Sequence, residues 1–434
     1  MGIFRSRKNI ELNSWYRLDN AAKIFPAVTN KVRTSVFRLS ADLHEPVKLE
    51  ALQKALDKTL LELPYFRSQL KKGFFWYWLE PSEAQPLIQY DHGTPCREFN
   101  TQRRNHLLIR VLARENKISA EFMHTLTDGG GASKFFLSLL GNYGQFCTWA
   151  LDPESQIITN DTSNQKDLTE DSYKKYFRKH IPKHLKLRNA YHLPLAINRK
   201  PEFRTIVAEL STSKIIALAH DKKISLTEYL ASVYLFTLQK FYLLEYNKRP
   251  FPRKSILRVE IPVNLRKLFP SKTLRNFALF VMPEIDPRLG AYSFDEITSI
   301  VHHYMQLETD HRQIQRIIRR NVGGEKNPII RVIPLVLKIM VLTLMFKNSG
   351  PKLYSGVLTN LGPVKISADY SKFIKRFRFI PPPPDPSIKV NSALISYNDS
   401  LVLCFGNQSS STKFEKEFLR FLKNEGLKIT ILNQ

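Results

Sequence analysis

Cysteine is scarce: the 434 residues hold three, Cys96, Cys147 and Cys404, far apart and without Cys-x-x-Cys spacing. That excludes a disulfide framework and a structural zinc site, and it suits a reducing cytoplasm. Residues 1–20 are basic but lack an apolar core of signal-peptide length, so secretion is not expected. The most apolar stretch, 329–346, is interrupted by Arg331, Pro334 and Lys338, which argues against a spanning helix and leaves a buried or an interfacial one. Acidic residues are also few, 39 against 66 Lys and Arg, giving a net charge of +27. Such an imbalance attracts polyanions: nucleic acid, anionic lipid or nucleotide phosphates. No zinc finger, RNP-type strand or heptad-linked basic region accompanies it, so specific nucleic-acid binding is not expected. The basic clusters Lys174-Lys175, Arg178-Lys179, Arg319-Arg320 and 372–378 read as solvated faces.

What is present is a chain with 43% hydrophobic residues, long enough for two packed units. Apolar periodicity places strands at 31–43, 74–79, 107–113 and 118–122, with helices at 49–62 and 129–150. Residues 152–171 turn polar and mark a crossover, which sets the expected domains at 1–170 and 201–434 with a linker over 171–200. Strands resume at 203–210, 255–263, 277–285, 355–359, 390–397 and 401–405, the last two joined tightly at Asn398-Asp399. Capping boxes, Ser225 with Glu228, Ser293 with Glu296 and Thr412 with Glu415, open three helices, the second running to about residue 321 and ended by Gly323-Gly324. The four prolines 381–384 read as an extended, exposed loop.

One stretch has the composition of a reaction centre. His124-Thr125-Leu126-Thr127-Asp128-Gly129-Gly130 follows the apolar run 118–123, placing an imidazole at a strand end against a glycine turn. An imidazole can take a proton near neutral pH, and a carboxylate four positions later can fix the loop by pairing with a distant cation. About 0.02 chance occurrences of His-x-x-x-Asp-Gly are expected in a chain of this composition. The same spacing also fits a half-buried histidine with Asp128 as a plain helix cap. No Gly-x-Ser-x-Gly elbow occurs. His180 and His184 have an i,i+4 spacing, but Pro182 lies between them and no carboxylate partner is evident, so no metal site is expected.

These residues resemble the alcohol acetyltransferase branch of the thioester-dependent acyltransferase superfamily, which includes chloramphenicol acetyltransferases and peptide-synthetase condensation domains. The resemblance is carried by Tyr16-Arg17-Leu18-Asp19-Asn20, Leu63-Pro64-Tyr65-Phe66-Arg67, His124 to Gly130, Pro262-Val263-Asn264-Leu265-Arg266 with Asn276-Phe277, and Thr359-Asn360-Leu361-Gly362-Pro363. It departs from the plant enzymes, whose Asp-Phe-Gly-Trp-Gly loop is missing, and from condensation domains, which carry a second histidine where Met123 stands. The resemblance implies an α/β fold of two lobes, each a mixed β-sheet flanked by helices, with a tunnel between them. It implies His124 as general base, with no cofactor beyond an acyl-CoA or acyl-carrier-protein co-substrate and an alcohol or amine acceptor. Asp128, Gly129 and Arg266 would be structural at that site, Asp128 bracing the loop against Arg266. Asn360 and Asn276 would hold a loop or the acyl oxygen. The charge adds an expectation of a cytoplasmic protein with peripheral contact to the inner face of an anionic membrane and a lipidic acceptor. The alternative is a catalytically inactive protein that binds an acyl carrier, a lipid or a protein partner.

Overall fold

The computed structural model describes residues 15–147, 149, 164–181, 187–197, 202–246, 255–325 and 331–432. Most of the polar crossover 152–171, together with Pro182 and His184, lies outside them. Two mixed sheets dominate. The first has the order β13-β2-β7-β6-β5, built from β2 (Val36–Leu43), β5 (Gln89–Tyr90), β6 (Ile109–Arg114), β7 (Lys117–Met123) and β13 (Ile374–Ile380). A small sheet of β1 (Tyr16–Arg17), β4 (Tyr77–Pro81) and β3 (Ser68–Lys72) flanks it.

Successive side chains of β2 point to opposite faces, and both faces are covered, so the strand is buried along its whole length. Phe37, Leu39, Ala41 and Leu43 join the apolar core beneath α2 (Leu49–Glu62) and α3 (Gly129–Phe146). Arg38, Ser40 and Asp42 project from the opposite face. There Arg38 meets Asp91 and Glu121, and Glu121 also holds Arg110. Charges this deep are tolerated because each is answered by an opposite charge.

That face corrects one expectation. The run 372–378 contains part of β13, which pairs antiparallel with β2 from the far side of the sequence. Arg376 and Arg378 both reach Asp42, so these two cations are ion-paired and largely buried, while Lys372 and Lys375 of the same run stay exposed as expected. The proline run also departs from expectation. Pro381, Pro383 and Pro384 are buried. A proline brings no N–H that needs a partner, and the carbonyls of Pro381 and Pro382 accept from Cys96 and Asn391.

The second sheet runs β10-β9-β12-β14-β15-β8-β16, with β11 (Glu284–Ile285) also on β9. Its strands are β8 (Arg204–Ser211), β9 (Leu257–Asn264), β10 (Ala278–Val281), β12 (Gly356–Pro363), β14 (Val390–Tyr397), β15 (Ser400–Asn407) and β16 (Thr430–Leu432). β14 and β15 are covered on both sides: Val390, Leu394, Leu401, Leu403 and Phe405 face one core, Ala393, Ile395, Val402 and Cys404 the other. Helices α4 (Thr212–Asp221), α5 (Leu226–Tyr246), α6 (Phe294–Glu308) and α9 (Lys413–Asn424) contribute to the outer core.

The Ser225 and Ser293 capping boxes both form. The Thr412 box does not: Thr412 makes no side-chain cap, and Glu415 is taken by Asn407. The expected long helix is two, α6 and α7 (His311–Glu325), parted at Thr309-Asp310, and α7 continues through Gly323-Gly324. Of the expected strand over 74–79, only the end is strand. Gly73 to Trp76 forms the turn between β3 and β4, leaving Phe74 and Phe75 exposed.

Candidate active site

The β6–β7 hairpin ends at Met123, and the chain then leaves the sheet. The His124 N–H donates to the carbonyl of Ser35 at 2.9 Å, which ties the residue to the start of β2. Its ring is half-buried between two aromatic rings. Phe25, in the short helix α1 (Phe25–Val28), stacks on it at 5.0 Å between centroids with planes 17° apart, and Phe37 approaches at 4.7 Å. Nδ1 is enclosed and makes no hydrogen bond. Burial lowers the pKa of the imidazole below its ordinary value, against the raising effect of the nearby Asp128 charge. The ring is therefore neutral at pH 7 and able to accept a proton.

Residues 125–131 are fixed along their length. The Tyr65 hydroxyl donates to the Leu126 carbonyl at 2.7 Å, and the Thr127 hydroxyl to the Leu274 carbonyl at 2.6 Å. Asp128 caps α3, its Oδ1 accepting from the N–H groups of Gly130 and Gly131 at 3.0 and 3.1 Å. A Cβ on Gly129 would stand 2.8 Å from Leu361, and one on Gly131 would stand 2.1 Å from the Leu274 carbonyl oxygen. The second contact is with backbone, so only glycine fits there.

Asp128 does not face the imidazole. It meets Arg266, which lies in the turn Leu265–Lys267 just after β9. The pair is bidentate, Nη1 to Oδ2 at 2.9 Å and Nη2 to Oδ1 at 3.0 Å. The remaining guanidinium donors go to Asn264 and to the carbonyls of Thr273 and Arg275, so all five N–H groups of Arg266 are engaged. Burial would push the Asp128 carboxyl up, but Arg266 and the N–H groups of Phe277 and Gly131 outweigh it and hold the pKa below the ordinary carboxylate value. Asp128 thus braces the loop against a segment some 140 residues away, and a relay to His124 has no contact to run through.

Asn276 belongs to the same junction. Its Nδ2 donates to the His124 carbonyl at 3.0 Å and to Asp19 at 3.2 Å. Asn360 lies at a different place: its amide donates to Thr227 and its Oδ1 accepts from Gly362 N–H at 2.8 Å, closing the turn at the end of β12. Both amides are engaged in holding backbone or loop. Asp19 and Arg275 are the members of this site that sequence reasoning did not single out. Arg275 stands 3.8 Å from Asp19, and burial dominates the carboxyl, raising its pKa despite that cation. The signal was available, because Asp19 lies within one of the stretches quoted above and Arg275 directly precedes another. Among the described residues, no group of three or more His, Cys, Asp or Glu is placed to hold a metal ion.

No protein-family model matches the chain, and no curated protein matches its sequence. Solved structures do match its fold. Polyketide synthase associated protein 5 from Mycobacterium tuberculosis superposes with a TM-score of 0.58 at 15% identity, covering 94% of this chain and 96% of that one. The TRI3 trichothecene 15-O-acetyltransferase from Fusarium sporotrichioides gives a TM-score of 0.61 at 10% identity, with 96% of each chain covered. The starter condensation domain of rhizomide synthetase RzmA, as a point mutant in complex with C8-CoA, gives 0.58 at 13% identity, covering 95% of this chain and 94% of that one. The chain shares the two-lobed α/β fold of these solved structures along nearly its full length.

Proposed function

We propose that this protein transfers an acyl group from a thioester, acyl-CoA or acyl-carrier protein, to an alcohol or amine, with His124 as general base. One observation carries the reading: a neutral, half-buried imidazole stands between Phe25 and Phe37 in a loop that Asp128, Arg266 and Asn276 immobilise.

In the proposed step, Nε2 accepts the acceptor's proton as its oxygen or nitrogen attacks the thioester carbonyl. The tetrahedral intermediate collapses by breaking the C–S bond, and the imidazolium returns the proton to the leaving thiolate. Asn276 acts as a positioning residue through the His124 carbonyl, and Asn360 through the β12 turn. Stacking on Phe25 and Phe37 keeps the ring in a low-dielectric setting that favours the uncharged base. A base of this kind contributes about 10²–10⁴-fold, so positioning supplies much of the rest.

The test is thiol release from a panel of acyl-CoAs offered with water, simple alcohols and amines. We expect donor consumption that depends on an acceptor. No consumption in any pairing would overturn the enzymatic reading in favour of a binding role.

A further inference from the structure

We propose that helix α8 (Leu335–Ser349) and the Phe74-Phe75 turn form a surface that docks on an anionic lipid bilayer. Nine large apolar side chains lie together here at 44–71% exposure: Phe74, Phe75, Val332 and, along α8, Val336, Leu337, Met340, Val341, Leu344 and Met345. The α8 positions recur every three to four residues, so they make one stripe on one side of the helix. Soluble proteins rarely leave a contiguous apolar patch of this extent without a partner.

The two halves of the surface are built as one unit. The Leu335 N–H donates to the Phe74 carbonyl at 2.8 Å, and Lys338 Nζ donates to the Phe75 carbonyl at 3.2 Å while lying 3.8 Å from the centre of the Trp76 ring. Lys338 is buried by these contacts, so this cation is turned inward and the outer stripe between the helix ends stays apolar.

Charge decides the occupant. Residues 331–352 contain Arg331, Lys338, Lys347 and Lys352 and no Asp or Glu, within a chain of net charge +27. Arg331 and Lys347 are exposed at the two ends of the stripe, and Lys72 is exposed beside the aromatic turn. A second copy would bring like charges face to face, whereas an anionic headgroup layer answers them and the acyl region receives the stripe. The 15-residue helix is too short to cross a bilayer, and no described helix is long and apolar enough to do so, so the geometry is that of a helix lying on the surface.

The docking surface adjoins the candidate site. α8 packs against α1, with Thr343 donating to the Ala27 carbonyl at 3.2 Å, and α1 carries the Phe25 ring that covers His124. Where this inference speaks of substrate it rests on the acyl-transfer reading: a lipid-borne acceptor or donor would reach His124 past α1 from the bilayer side. The docking itself stands without that reading.

The test is co-sedimentation of the full chain with vesicles of phosphatidylcholine alone and of phosphatidylcholine mixed equally with phosphatidylglycerol, at low and high salt. Binding should be at least tenfold stronger to the anionic vesicles, weaken with salt, and fall at least tenfold in the double variant M340E/L344E. Both positions are exposed, so that variant should keep its circular dichroism and its thiol release from a soluble donor and acceptor. Equal binding to both vesicles, or undiminished binding by M340E/L344E, would overturn the proposal. So would a concentration-dependent dimer in light scattering that M340E/L344E abolishes, because the occupant would then be a second copy. Loss of thiol release in His124→Ala with vesicle binding intact separates failure of the chemistry from failure of the surface.

Discussion

Two buried carboxylates, one held by the turn after β9 and the other on that strand, are treated in opposite ways. Asp128 receives a bidentate guanidinium and three backbone N–H groups, and its pKa falls. Glu260, on β9 six residues before Arg266, is also buried, but among the described residues no cation pairs with it, and burial alone pushes its pKa up to about 8. The difference shows where the fold invests counter-charge. Of the two, the carboxylate that sets the geometry of the His124 loop is kept ionised, while the other avoids the cost of a buried charge by keeping its proton.

The largest test of this contrast removes the answered charge. Asp128→Asn or Arg266→Ala leaves one member of a buried pair alone, and either should cost about 3–5 kcal/mol in denaturant unfolding. A loss below about 1 kcal/mol, in the range of surface pairs, would erase the distinction. The pair also fixes a sign. Because the folded pKa of Asp128 is depressed, its contribution is present above the ordinary carboxylate range and is lost as pH falls through it.

Glu260 has the reverse sign. Its folded pKa is raised, so the stability of the wild type should decline as pH rises from the ordinary carboxylate range towards about 8, and Glu260→Gln should remove that decline. We expect the variant to gain about 3–5 kcal/mol over wild type at alkaline pH and little in mild acid, measured by unfolding across a pH series. A parallel pH dependence in both proteins would show that Glu260 is ionised when folded.

The smallest test concerns the helix caps. Ser293→Ala breaks a formed capping box and should cost about 1 kcal/mol, while Thr412→Ala, where no cap bond exists, should be neutral within a few tenths. Equal costs in thermal melts would mean that the Thr412 cap forms in solution.

These contrasts also show what could be read without coordinates. Helix 49–62 and strand 390–397 were legible to the residue, because Leu52, Leu56 and Leu60 mark a helical face and the strand is buried on both sides. The hairpin that delivers His124, and the pairing of Asp128 with Arg266, were legible from motif and resemblance. What escaped depends on partners distant in sequence. The Lys/Arg-rich β13 could not be separated from a solvated run, because Asp42, which pairs with its arginines, lies more than 330 residues earlier. The burial of Pro381 follows from packing near Gly406 and Phe203, and the contacts of Asn276 require Asp19 to be beside it. Local pattern reports faces and caps; which buried charge meets which is settled by the tertiary fold.

The central claim is that the His124 ring performs chemistry and its loop only holds it. The most direct measurement is the acceptor-dependent thiol-release rate of His124→Ala beside wild type, with an unfolding curve for each. We expect the rate to fall by about 10²–10⁴-fold, with the midpoint of unfolding little changed because the Asp128–Arg266 pair and the bond of Asn276 to the His124 carbonyl remain. A variant that transfers acyl groups at the wild-type rate would contradict the account.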